Sequence, residues 1–218
     1  MNLFKRKETS LPDFWINYAN SFSGNLPADL KEVRFVVLDT ETTGFDTETD
    51  RMLCIGALAL KNKTIAIHES FEIYLKQPLY HPKSIQIHGI LKEEHKSCVD
   101  ELDALKQLLV FLKDSVIVAH HAGFDLAMIN NALKRHGLPK LRNKVLDTAA
   151  LYKRTLIKSP ILVRKEQYSL DDLADQFNIS KKDRHTALGD AYITAIAFMV
   201  ILGRLEQKKQ LNTKSLLR

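Results

Sequence analysis

The run Val33-Arg34-Phe35-Val36-Val37-Leu38 is rich in β-branched and apolar side chains, is too short for a stable helix, and leads directly into Asp39-Thr40-Glu41. A short apolar run of this kind reads as a central strand buried on both faces, and such a strand must be covered above and below. Met52 to Leu60 and Thr64 to Leu75 read as two further strands joined by Lys61-Asn62-Lys63, which predicts an antiparallel hairpin. Glu101 to Lys113 puts Leu102, Leu105, Leu108, Leu109 and Leu112 on one helical stripe, and Ser115 to Ala119 follows as a fourth strand. A helix from about Phe124 to Arg135 stops at Gly137-Leu138-Pro139, Val145-Leu146 is a fifth strand, and the remainder is helical, ending with Ala187 to Leu205. Three strands followed by alternating helix and strand predict an α/β fold: a mixed five-stranded sheet with helices on both faces.

The chain has 218 residues, enough for one such domain burying roughly 70% of its unfolded surface. Residues 31–205 hold the α/β pattern. Residues 1–30 read as an N-terminal helical extension, with Phe14 to Phe22 at helical spacing before the break Gly24-Asn25-Leu26-Pro27, and 206–218 as a basic C-terminal tail. Neither extension carries a candidate site residue, so both read as dispensable for the chemistry of the domain, with an exposed surface around Trp15 available to a partner. The start Met1-Asn2-Leu3-Phe4-Lys5-Arg6-Lys7 turns charged before an apolar stretch forms, so no secretory signal is visible and a cytoplasmic location is expected. The most apolar segment, Ala191 to Gly203, is shorter than the ~20 residues of a spanning helix and reads as buried, so no membrane partner is expected. Cys54 and Cys98 stand apart, which excludes a zinc knuckle or disulfide framework and leaves two inert core thiols.

The net charge of +6 is unevenly spread. Ten Lys and Arg residues lie between Lys134 and Lys165 against the single acid Asp147, whereas Asp39, Glu41, Asp46, Glu48 and Asp50 crowd into a short acidic segment. The basic block reads as a solvated face or as a surface for phosphates. A polyanion would be repelled by the acids unless cations sat among them, and that points to metal.

Three short groups carry the candidate chemistry. Asp39 and Glu41 alternate with Thr40 at the end of the first strand and so project from one face, where two close carboxylates need a cation or a raised pKa. Thr42-Thr43-Gly44 follows, with hydroxyls, amides and a glycine free to take positive φ. His120-His121-Ala122-Gly123-Phe124-Asp125 leaves the fourth strand for a helix, at the sheet edge where such folds bind ligands. His185-Thr186-Ala187-Leu188-Gly189-Asp190 opens the last helix, with Thr186 as its N-cap. Four carboxylates and one His at strand ends and helix starts match the needs of two-metal phosphodiester chemistry, namely hard oxygen ligands and a base near neutral pH.

These groups, in this order and spacing, resemble the three motifs of the DEDDh 3′→5′ exonucleases, the family of the proofreading epsilon subunit of bacterial DNA polymerase III. The likeness runs from roughly Phe35 to Met199 and takes in Ile87-His88-Gly89-Ile90 and Asp147-Thr148. It implies a ribonuclease H-like fold and two Mg²⁺ or Mn²⁺ ions held by Asp39, Glu41, Asp125 and Asp190, with His185 as general base. It also implies substrate contacts at Thr42, Thr43, Gly44, His120 and His121. Phe45 and Tyr168 are aromatic candidates for stacking on a base. His121 stands where the family usually has Asn, and Cys54 where an acid or amide is common. The implied substrates are single-stranded or frayed DNA 3′ ends, degraded to nucleoside monophosphates in proofreading or repair beside a DNA polymerase. RNA ends or short oligoribonucleotides would use the same site, and a silent exonuclease-like module bound to a polymerase is the non-enzymatic alternative.

Overall fold

The computed structural model describes residues 11–77, 98–156, 165–208 and 210–218. Ile87-His88-Gly89-Ile90, residues 1–10, Lys158, Arg164 and Lys209 lie outside them. Five strands form one mixed sheet: β1 (Arg34–Thr42), β2 (Met52–Lys61), β3 (Thr64–Tyr74), β4 (Val116–Ala119) and β5 (Val145–Asp147). Their spatial order is β3-β2-β1-β4-β5. β1 pairs antiparallel with β2 and parallel with β4, and β5 continues the parallel half beside β4. The β2–β3 hairpin turns on two residues rather than the expected three, because Lys61 stays in the ladder opposite Thr64. Asn62 and Lys63 both adopt positive φ, 49° and 56°, which gives the turn a twist matching that of the strands.

The alternation along β1 divides the interior into two cores. Val36 and Leu38 pack on one face against α2 (Glu101–Leu112) and α3 (Gly123–Arg135), through Leu105, Leu108, Leu109, Met128 and Ile129. Phe35 and Val37 pack on the other, against α4 (Thr148–Thr155), α5 (Leu170–Phe177) and α6 (Ala187–Lys208). Phe35 meets Phe198 of α6 edge-on, with ring centroids 5.1 Å apart. At 22 residues α6 is longer than the sequence suggested, and by length and composition it would cross a membrane. Its apolar stretch is instead mostly enclosed, with Ile193, Phe198, Ile201, Leu202 and Leu205 in the core.

The described parts of both terminal segments pack on the domain. Trp15, expected on an exposed surface, is 1% exposed: α1 (Asp13–Asn20) lays it and Tyr18 into the α2 side of the core. An indole and a phenol there remove a large apolar area from water. The phenol remains satisfied, since the Tyr18 hydroxyl donates to Asn143 Oδ1 at 2.6 Å and accepts from the Arg142 amide at 2.8 Å. Burial pushes its pKa up to about 12. Asn143 Nδ2 in turn donates to the carbonyls of Lys113 and Ser115. At the other end, α7 (Thr213–Leu216) buries Leu216 in the second core, and Thr213 donates through its amide to Ala28 and through its hydroxyl to Pro27. The 206–218 tail is thereby tied to residues 27–28 of the supposed extension.

Trp15→Ala should therefore lower stability by about 3–5 kcal/mol, the usual range for a large buried aromatic, with a drop in Tm of order 10 °C for a chain this size. A thermal melt unchanged within 1–2 °C, which is about the effect of a surface substitution, would mean that the helix does not contribute to the core.

Candidate active site

The site lies where the C-terminal ends of β1 and β4 meet the N-termini of α3 and α6. Because side chains alternate along a strand, Asp39 and Glu41 face α6 while Thr40 between them faces α3. Carboxylate oxygens of Asp39, Glu41 and Asp190 lie within 4.8 Å of one another. Asp125 comes in from the far side of β1, where its Oδ1 accepts from the amide and hydroxyl of Thr40 at 3.0 and 2.7 Å. All four carboxylates expected to act together thus converge on one end of β1, and Asp125 and Asp190 are 4% and 5% exposed.

The convergence has an electrostatic cost. Burial raises the pKa of Asp39 well above the carboxylate range, with further upward pushes from Asp125, Asp190 and Glu41. Glu41 is pushed up to about 8, first by burial and then by Asp190. Asp125 and Asp190 also rise through burial, opposed by hydrogen bonds from Thr40 at the first and by Arg184 at the second. Hard, anionic oxygens gathered this closely match the donor set of Mg²⁺ or Mn²⁺. The residues present fit such ions.

Thr186 caps α6 as expected, its hydroxyl accepting from the Gly189 amide at 3.1 Å. His185 is exposed on the preceding loop at φ 66°, and its amide donates to Asp190 Oδ1 at 3.3 Å. Positive φ is uncommon for a residue with a side chain and costs energy that the surroundings must offset. His121 shares this conformation at φ 56° and is also exposed. His120 beside it is held internally: Nε2 donates to the Tyr168 carbonyl and Nδ1 accepts from the Thr148 hydroxyl, both at 2.9 Å. Burial and His121 push its pKa down to about 4, which keeps it neutral.

Thr42 and Thr43 are buried, and their hydroxyls are used within the loop. Thr42 donates to the Gly44 carbonyl, and Thr43 donates to Asp50 Oδ1 while accepting from the Arg51 amide. Gly44 does not use positive φ as the sequence suggested. A Cβ there would come within 2.4 Å of the Asp50 carboxylate, so a larger residue would have to displace that side chain from its bonds to Thr43 and Asp46. Phe45, at 82% exposed, stands on this loop with its ring 6.2 Å from that of Phe124. Tyr168 packs edge-on against Tyr152 at 4.8 Å and belongs to the second core. The Cys54 thiol is buried, and burial pushes its pKa upward, as an inert core thiol requires.

Two important residues escaped the sequence reading. Gly56 pairs with Asp39 across the sheet, and a Cβ there would lie 2.3 Å from the Ala187 carbonyl carbon and the Leu188 amide nitrogen. The other is Arg184, whose guanidinium donates to Asp190 Oδ2 and to both oxygens of Asp171. A glycine inside an apolar run was the available signal for the first. The second had none beyond its place next to His185.

Comparison with known proteins places this geometry. The RNase_T family model, described as Exonuclease, matches residues 36–198. The PolC-type DNA polymerase III of Caldanaerobacter subterraneus subsp. tengcongensis is 33% identical over 177 residues, which is 81% of this chain and 12% of that protein. The PolC-type enzyme of Thermotoga maritima is 34% identical over 170 residues, again 12% of its length. Escherichia coli Exonuclease I, solved in complex with a dT13 oligonucleotide, shares the fold with a TM-score of 0.68 at 19% identity, covering 81% of this chain and 42% of that one.

The raised carboxylates make a pH prediction. Glu41 at about 8 against 4.5 keeps a proton in the folded chain that the unfolded chain gives up, so its stabilising effect is complete below pH 4.5 and lost as pH rises toward 8. The other three carboxylates shift in the same direction. Denaturant unfolding in chelator should show stability falling between pH 5 and pH 8, with a shallower fall in Glu41→Gln. Stability rising over that range would contradict the arrangement.

Proposed function

The chain belongs to the RNase_T exonuclease family, and on that premise we propose that it is a divalent-metal-dependent 3′→5′ exonuclease that removes nucleoside monophosphates from single-stranded or frayed DNA ends. The observation that carries the reading is the meeting of Asp39, Glu41 and Asp190 within 4.8 Å, with Asp125 beside them and His185 on the adjoining loop. Asp39, Glu41, Asp125 and Asp190 would hold the ions. Such ions, when bound, stabilise developing charge on the attacking and departing oxygens of a phosphodiester.

The chain's own groups then have separate tasks. The His185 imidazole would accept the proton of the attacking water, and it is exposed on a loop whose backbone is bonded to Asp190. With the Thr42 and Thr43 hydroxyls already committed, contacts to the terminal nucleotide fall to the backbone of 42–44, to His121 and to the exposed ring of Phe45. His120 acts indirectly, by holding the β4–α3 junction through Thr148 and Tyr168.

DNA as substrate is supported by the family of the PolC-type relatives and by the oligodeoxynucleotide bound to Exonuclease I. The same relatives support work beside a DNA polymerase in the cytoplasm, either on a separate chain or as part of one. RNA ends remain the competing substrate, decided by contacts to the 2′-OH.

Asp125→Ala or excess chelator should abolish hydrolysis of a 5′-labelled single strand, and His185→Ala should slow it by about 10² to 10⁴ with oligonucleotide binding retained. The label should ladder down one nucleotide at a time, and a 3′-phosphate should block the ladder. Cutting of circular single strands, or full activity in chelator, would refute the reading. Faster turnover of RNA than of matched DNA would reassign the substrate.

A further inference from the structure

Arg184 is wedged between carboxylates on two helices. Its Nε and Nη2 donate to the two oxygens of Asp171 on α5 at 3.0 and 3.3 Å, while Nη1 donates to Oδ2 of the buried Asp190 on α6. The Asp171 side is a two-pronged fork, the geometry in which a guanidinium holds a carboxylate most firmly. Among the described residues, no other Lys or Arg forms an ion pair with Asp39, Glu41, Asp125 or Asp190. A guanidinium keeps its charge at any working pH, so the cluster carries a fixed positive neighbour of its own.

The loop that presents Arg184 is held against α6 at several points. The Asp183 carbonyl occupies the space a Cβ on Gly189 would take, 1.9 Å from that position, and the Thr186 hydroxyl donates to the same carbonyl at 2.8 Å. His185 follows Arg184 directly, its amide on the other oxygen of Asp190. Asp190 is thus held from one side by Arg184 and from the other by the backbone of the proposed base. A divalent cation drawn to the same carboxylate would meet a guanidinium already bonded there, and the two positive charges repel.

We propose that Arg184 is a positioning residue and the resident counter-charge of the carboxylate cluster, released from Asp190 when a divalent cation binds while its fork on Asp171 keeps the 180–186 loop and His185 in place. The proposal rests on the metal-dependent reading above. It separates two roles that one side chain holds together, since the Asp190 bond balances charge without metal and the Asp171 bond fixes the loop in both states.

Calorimetric titration of the full chain with Mn²⁺ tests it without any substrate. Arg184→Gln, which removes the charge, should bind Mn²⁺ about tenfold more tightly than the parent chain, the order expected from losing one like charge close to the site. Arg184→Lys, which keeps it, should bind like the parent. Equal or weaker binding by Arg184→Gln would overturn the proposal and leave the metal reading intact, whereas a parent chain that binds no Mn²⁺ would overturn that reading itself. Should Arg184→Gln not fold, the guanidinium ¹⁵N resonances of the parent chain decide the matter. On saturation with Mg²⁺ the Arg184 Nη1 protons should begin to exchange with water while Nε–H and the Nη2 proton on Asp171 stay protected, and no change at Nη1 would overturn the proposal.

Discussion

Much of the site geometry depends on an approach that only a missing side chain permits. Gly56 on β2 lies directly across from Asp39, and the first turn of α6 rests its backbone on that glycine. With Ala187 and Leu188 fixed there, Asp190 two residues on in the same first turn is delivered to Asp39 and Glu41. Any Cβ at position 56 would have to push the helix backbone away, and the carboxylates would separate with it. The energy that holds α6 down comes from elsewhere along its length, from Phe198 against Phe35 and from Ile201, Leu202 and Leu205 in the second core. Burial supplies the force and the glycine supplies the distance.

That division explains how the fold tolerates an unfavourable centre. Four carboxylates drawn out of water beside one another oppose folding, as the upward shifts of Asp39, Glu41, Asp125 and Asp190 record. Two local devices limit the strain: the Thr40 amide and hydroxyl on Asp125, and the Arg184 guanidinium on Asp190. The remainder is borne by apolar packing on both sheet faces, reinforced at the ends of the chain by Trp15 and Leu216. A core with less to spare could not hold acids this close together.

Most of this was legible in the sequence because it depends on periodicity. The central strand shows as the apolar run 33–38, which the structure extends to Thr42, and the leucine stripe of α2 and the facing of Asp39 and Glu41 follow from repeats of 3.6 and of two residues. What escaped was set by contacts between distant segments. Trp15 reads as an exposed aromatic until Asn143, 125 residues beyond its neighbour Tyr18, is known to close the gap beneath that helix. Gly44 reads as a flexible turn until Asp50 is seen to fill the space its side chain would need. Arg184 is one of many basic residues in the sequence and acquires a role only when α5 and α6 bring Asp171 and Asp190 to either side of it.

The basic block between Lys134 and Lys165 changes meaning for the same reason. Arg135 is paired with Glu101 and Lys165 with Asp172, Arg142 reaches the Ala19 carbonyl, and Arg154 donates to the carbonyls of Ser215 and Leu216. Arg135 and Lys165 are thus offset by carboxylates, whereas Arg142 and Arg154 tether helix and chain ends while keeping their charge, so the block has structural work besides any contact with phosphates. Positive potential near the carboxylates has a different source. The N-termini of α3 and α6 both open at the site, with Asp125 and Asp190 each in the first turn. Aligned peptide dipoles place partial positive charge at those ends, which eases the burden of the acids and suits the approach of a phosphate. The same two helix starts therefore hold the carboxylates in place and make the cleft between them less hostile to an anionic strand.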